Sequence, residues 1–112
     1  MSAPSPSSTG SERLIARVWT GRTAAARRAE YLAYLERTGV RECRETPGNR
    51  GVEILSRIVE GHAGFVFISY WESLAAIKAF AGDDIERARY YPEDRAFLEE
   101  LAAGVKHYEV TR

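Results

Sequence analysis

Few residues in this chain have the chemistry to move a proton or attack a bond, and their positions differ in what they allow. The histidines are His62 and His107. With an ordinary pKa of about 6.5, an imidazole can take a proton from a phenol or an activated methylene, and His107 stands in an extended terminal segment beside Tyr108. Alternation along a strand sends these two side chains to opposite faces, so one of them faces a pocket between sheet and helices. Two readings of His107 stay open: a catalytic base, or a structural histidine at a subunit interface. His62 lies among Glu60, Gly61 and Gly64 and reads as a solvated turn residue.

Tyr90 and Tyr91 precede Pro92, with Arg87 and Arg89 close by. Together they can close the mouth of a pocket and hold a phenolate or a carboxylate. Cys43, the single cysteine, sits among Arg41, Glu42 and Arg44 with no histidine placed to activate it, and reads as incidental. One cysteine excludes an intrachain disulfide and every multi-cysteine metal site, and two unclustered histidines add no metal signal. Gly48 and Gly51 precede a strand rather than a helix, so no phosphate-cradling loop and no dinucleotide fingerprint is present. Neither a metal nor a cofactor is expected.

These residues must be carried by one domain, since 112 residues suffice for a single core. Sixteen basic and sixteen acidic residues cancel, leaving no long-range field to gather nucleic acid or an anionic membrane surface. No apolar run approaches the roughly 20 residues of a membrane span, the first residues lack the features of a leader, and the lone cysteine suits a reducing compartment. A cytoplasmic location is expected. Residues 1–11, rich in serine and proline, hold nothing able to pack and are expected to form a disordered tail before a domain over 12–112.

Along that domain, residues 12–20 read as a strand ending at Gly21. Thr23 is placed to cap a helix that buries Ala25, Ala29, Tyr31, Leu32 and Leu35 and stops at Gly39. Arg28 inside that arc and Tyr34 on its polar face are exceptions, read as snorkelling side chains. A turn at 47–51 leads to a strand over 52–59, a glycine-bearing turn at 60–64 and a strand over 65–71. Ser73 caps and Gly82 closes a second helix. Asp83 and Glu86 suggest a third, ending at Pro92, and residues 93–102 a fourth. A last strand covers 104–111.

This order predicts an α+β fold, the ferredoxin-like split βαβ with an antiparallel sheet. The strand over 65–71 is apolar on both faces, so the sheet face away from the helices, with Val66, Ile68, Tyr70, Trp19 and Tyr108 assigned to it, needs a cover. A second copy packed sheet to sheet supplies one, and a homodimer is expected.

Ser69-Tyr-Trp-Glu-Ser73, Ala76-Ile-Lys-Ala-Phe-Ala-Gly82, Tyr90-Tyr-Pro-Glu-Asp94 and His107-Tyr-Glu-Val110 resemble, in order, the landmarks of the antibiotic biosynthesis monooxygenase-like dimeric α/β barrels, over roughly residues 13–110. The resemblance implies that Trp71 contacts a bound substrate, alongside the plain reading of a core tryptophan. Haem degradation in this family resembles an Asn on strand one, this Trp, and an iron-ligating His on the next helix. Here the sole Asn is Asn49 and no His occurs from Glu72 to Pro92, so haem is not expected. The implied activity is a cofactor-independent monooxygenase acting on a small aromatic or polyketide-like molecule, with a non-catalytic small-molecule-binding module as the alternative. The site residues are then His107 as base and Trp71, Tyr90, Tyr91, Arg87 and Arg89 as substrate contacts.

Overall fold

The structure, a computed structural model, describes residues 13–112. The expected tail over 1–11 lies outside the described residues. Strands β1 (Ile15–Ala24), β2 (Asn49–Val59), β3 (His62–Trp71) and β4 (Lys106–Glu109) form one antiparallel sheet in the order β2-β3-β1-β4. Helices α1 (Arg28–Leu35), α2 (Arg41–Glu45), α3 (Leu74–Ala81) and α4 (Asp94–Phe97) pack on one face. This is the α+β ferredoxin-like plan that the element order predicts. Among the described residues no helix is long and apolar enough to cross a membrane.

Several local expectations are corrected. β1 runs through Gly21 to Ala24, because pairing with β3 continues to Ala24 opposite His62. Gly21 is needed there as open space: the Trp19 ring lies where a Cβ would sit. Thr23 is therefore a buried strand residue whose hydroxyl donates to Ala24 O, not a helix cap. The helical segment opens with a 3-10 turn, so its buried side is Tyr31, Tyr34 and Leu35, while Arg28 is exposed and donates to Ser56. Tyr34, expected on the polar face, is core.

Gly39 does not stop this segment. The chain widens into a π-helical turn, Glu36–Val40, and continues as α2. Gly39 is buried in that turn, and a Cβ on it would come within 3.3 Å of the Phe67 ring. The hairpin between β2 and β3 is tighter than expected, with only Glu60 and Gly61 at its tip, both at positive φ. His62 thus begins β3, and its Nδ1 lies 2.7 Å from Glu99 Oε2. Ser73 does cap α3, accepting from Ala76 N, and Gly82 at φ 88 closes it.

The expected third helix does not form. Its carbonyls are taken from the side: Val105 N donates to Glu86 O, and Arg17 donates to Ile85 O and Arg87 O. The fourth is a single turn, because Leu98 turns extended and Glu99 N donates to Arg22 O. β4 pairs only over 106–109, against β1.

The register separates the two sheet faces. Arg17 and Trp19 of β1 and Phe65, Phe67, Ser69 and Trp71 of β3 face the helices, where Phe65 and Trp71 are buried in two core clusters. The opposite face carries Val18, Leu55, Val66, Ile68, Tyr70 and Tyr108, the last 52% exposed. Trp19 is therefore not on the open face where alternation had placed it. Its register partner is Phe67, and both line the helix side.

Candidate functional site

Between the sheet and the helical layer lies a cleft of about 70 Å³. Its walls are mainly rings: Trp19 and Phe67 from the sheet, Tyr31 from α1, Phe80 from α3, and Tyr90 and Tyr91 from the irregular stretch before α4. Arg17, Arg89, Ser69 and Asp94 supply the polar groups, and Gly39 of the π-turn lines it as well. The mouth segment is held by main-chain bonds, with Ala88 N on Ala103 O and Asp94 N on Tyr91 O, which fix Tyr90 and Tyr91 without a helix.

The tyrosines are fastened by their hydroxyls. Trp19 Nε1 donates to Tyr90 Oη at 3.0 Å, and Tyr90 donates to Ala102 O at 2.6 Å. Tyr91 donates to Glu42, and burial together with that carboxylate raises its pKa. Arg89 Nη1 lies 2.6 Å from Glu42 Oε2, and its guanidinium stacks over Phe80 and Tyr91. Burial acts to raise Glu42, yet the bonds from Tyr91 and Arg89 hold its carboxyl below the ordinary value.

Asp94 is the carboxylate of the cleft. It is buried, accepting from Tyr31 Oη at 2.9 Å and from Tyr91 N at 2.7 Å. Burial pushes its pKa up against those two bonds, which favour the charged form. A carboxyl so placed can hold or accept a proton nearer neutrality than a solvated one.

The residues named from the sequence fall in three places. Tyr90, Tyr91 and Arg89 line the cleft. Arg87 brings only its main chain: its carbonyl accepts from Arg17 at 3.2 Å while its side chain is exposed. Trp71 is fully buried one layer back, with Nε1 on Ser69 Oγ at 2.8 Å and its ring 5.5 Å from Phe80. Ser69 and Phe80 line the cleft; Trp71 supports them.

His107 does take the helix-facing side of β4, since it pairs with Arg17. Its Nε2 is 3.2 Å from Arg17 Nη1, so the imidazole touches a guanidinium rather than the cleft. Burial and then that positive neighbour lower its pKa from the ordinary 6.5, keeping it neutral and able to accept from Arg17. Cys43 is fully buried against Trp71 and Ile77, and burial pushes its thiol up to about 12, which removes it as a nucleophile.

Sequence reasoning missed Arg17, Trp19 and Asp94. Arg17 carried a signal: it is the one charge in the otherwise apolar run 14–19 and stands two residues from Trp19, so the two share a face. Assigning Trp19 to the open side hid both. Asp94 gave none beyond its place in the Tyr90–Asp94 motif, because its role depends on Tyr31 arriving from α1.

A four-stranded antiparallel sheet, backed on one side by helices and holding a ring-lined cleft between the layers, defines a small α+β domain of ferredoxin-like plan. The family model for antibiotic biosynthesis monooxygenase matches residues 15–88, and the chain belongs to that family. No curated protein matches it. Among solved structures, the chain is similar to a conserved protein from Methanosarcina mazei, at 12% identity and a TM-score of 0.61, covering 88% of this chain and 93% of that one. It is also similar to a Pseudomonas aeruginosa protein, at 24% identity and TM-score 0.54, over 90% and 94%. A third is the heme-degrader MhuD from Mycobacterium tuberculosis, solved with two hemes in its active site, at 20% identity and TM-score 0.53, over 88% and 96%. At these identities the likenesses establish the fold.

The residues present do not fit a heme. An axial imidazole is the iron ligand expected of such a site, and here His62 lies against Glu99 while His107 is engaged by Arg17. Asn49 sits in the bulge of β2, donating to Tyr70 O. Among the described residues no three of His, Cys, Asp and Glu converge in a way that could hold a metal ion.

Proposed function

We propose that this chain is a cofactor-independent, monooxygenase-like protein that takes a small aromatic or polyketide-like molecule into the cleft, working as a homodimer joined through the open sheet faces. The observation that supports it best is the lining: six aromatic rings around buried guanidinium and carboxyl groups suit a flat, acidic, electron-rich molecule. Family membership supports the same reading.

The chemistry that such a cleft suits begins with loss of a proton from a methylene activated by its aromatic neighbours. The carbanion passes electrons to dioxygen and a carbon–oxygen bond forms. Loss of water, with the O–O bond broken, then leaves a carbonyl. The methylene carbon is oxidised by four electrons, and dioxygen is reduced by four, one oxygen entering the product and the other leaving as water. The chain's part is to orient the ring, exclude water and take the first proton.

Two groups are candidates for that proton: Asp94, on the cleft wall, and His107, behind Arg17. Oxygen uptake with an anthrone-like substrate, measured without added flavin or metal, tests the reading. Loss of roughly 10²–10⁴-fold in kcat for Asp94→Asn but not His107→Gln assigns the base to Asp94, and the reverse assigns it to His107. A second reading, a binding module without turnover, is favoured by the engagement of both Asp94 oxygens. Ligand-dependent quenching of tryptophan fluorescence with no oxygen uptake would establish it.

A further inference from the structure

The cleft holds two guanidiniums in different electrical states. Arg89 is compensated, with Glu42 at 2.6 Å. Arg17 is only 5% exposed, yet its partners are the carbonyls of Ile85 and Arg87 and the imidazole of His107, all neutral acceptors. Among the described residues no carboxylate lies within ion-pair distance of it. A buried charge is costly without a counter-charge, and carbonyl dipoles offset only part of that cost.

The donor inventory points the same way. Nη1 is engaged by Ile85 and His107 and Nη2 by Arg87. That leaves the Nε–H and one Nη2 N–H without a partner among the described residues. These two nitrogens share one edge of the guanidinium, the edge that meets both oxygens of a carboxylate. The other polar groups of the wall are engaged: Tyr90 with Trp19 and Ala102, Tyr91 with Glu42, Ser69 with Trp71, and Asp94 with Tyr31 and Tyr91.

We infer that Arg17 is the anion receptor of the cleft, and that the preferred ligand is an aromatic molecule bearing a carboxylate, its two oxygens on the free edge of Arg17 and a ring among Trp19, Phe67 and Phe80. This assignment rests on the reading of the cleft as a site for a small aromatic molecule, and it names the charge that molecule carries. It also gives His107 a positioning role, holding the guanidinium by accepting from Nη1.

The test is calorimetric binding of 4-hydroxybenzoate and its neutral counterpart 4-hydroxybenzamide to the full chain at neutral pH. The acid should bind about 10–100-fold more tightly than the amide, the size of a hydrogen-bonded pair with a charged group. Arg17→Met should bring the two within about twofold of each other, and Arg17→Lys should keep a reduced preference, since it retains the charge but not the fork. Arg95→Gln, which removes an exposed charge, should keep the full preference. Folding of each variant is read from its near-UV circular dichroism. Should the Met variant not fold, the wild-type ratio and the Lys variant decide. Equal binding of acid and amide by the wild type, or an undiminished preference in the Arg17 variants, overturns the receptor while leaving the cleft reading standing. If neither compound binds, the receptor falls, and oxygen uptake with the anthrone-like substrate decides the cleft reading.

Discussion

The two faces of the sheet are built from the same strands and behave as different materials. On β3, Phe65, Ser69 and Trp71 are buried under helices, whereas their neighbours Val66, Ile68 and Tyr70 remain half-exposed on the other side. On β1 the helix-facing residues include Arg17 and Trp19, both hydrogen-bonded into the cleft, while Val18 between them sits opposite Ile68 in an apolar row. The helix side specifies positions atom by atom, through rings fastened at their hydroxyls. The middle of the open side offers mainly apolar area, with Tyr70 donating to Glu53 at 2.7 Å, and at its hairpin end Arg22 and His62 meet Glu99. A period of two gives one strand two unlike faces, so a change on either face can be read separately.

The sharpest way to break the contrast is to remove a ring from the closed side. Phe65 is 2% exposed and lies edge-on to Tyr31 at 5.1 Å. Phe65→Ala should cost about 3–5 kcal/mol, seen as a lower denaturation midpoint in urea. Leu55→Ala on the open side, where Leu55 is 54% exposed, should change the monomer by well under about 1 kcal/mol.

A charge on the open face tests what covers it. Ile68→Asp should convert a dimer to a monomer in light scattering, because a carboxylate buried unpaired at the joint costs several kcal/mol. The variant monomer should keep its near-UV spectrum. A wild-type chain already monomeric at micromolar concentration would remove the sheet-to-sheet dimer.

The smallest expected effect lies at the seam between the faces, in β4. His107 has a pKa below the ordinary 6.5 in the native state, so the unfolded chain binds its proton first as pH falls. Its contribution to stability is complete above about 6.5 and is eroded as pH drops toward the lowered native value. Asp94, raised by burial, acts in the opposite sense. Melting temperatures at about pH 7 and about pH 5 should therefore differ less in His107→Gln than in the wild type, since Gln still accepts from Arg17 without titrating. An unchanged difference would mean that the imidazole is not engaged as drawn.

Legibility in the sequence followed the range of the forces involved. Strands β2 and β3, the Ser73 cap and the Gly82 stop were readable, because alternation, a capping hydroxyl and a positive-φ glycine act over a few residues. The element order then fixed the ferredoxin-like sheet. The helix expected before Pro92 failed because residues far away in sequence, Arg17 and Val105, claim its carbonyls. Tyr90, Tyr91 and Arg89 were found through their motif and do reach the cleft. Trp71 and His107 stand one contact behind the wall, a distance that depends on how Phe80 and Arg17 fill the space in front of them. Arg17 and Asp94 became visible only when β1 and α1 were brought together with the segment before α4.

Gly39 carries the last consequence. A helix that stopped there would have ended at the cleft; instead the wide turn carries bare main chain up to the Phe67 ring, with 3.3 Å where a methyl would stand. π-turns of this kind recur at functional sites. Here the missing side chain lets the segment between α1 and α2 lie directly on the sheet, since the Phe67 ring already fills the space a methyl would take. A larger residue at 39 would push Phe67, and with it one wall of the cleft, so the spacing of helix and sheet is set at a position that carries none of the cleft's polar side chains.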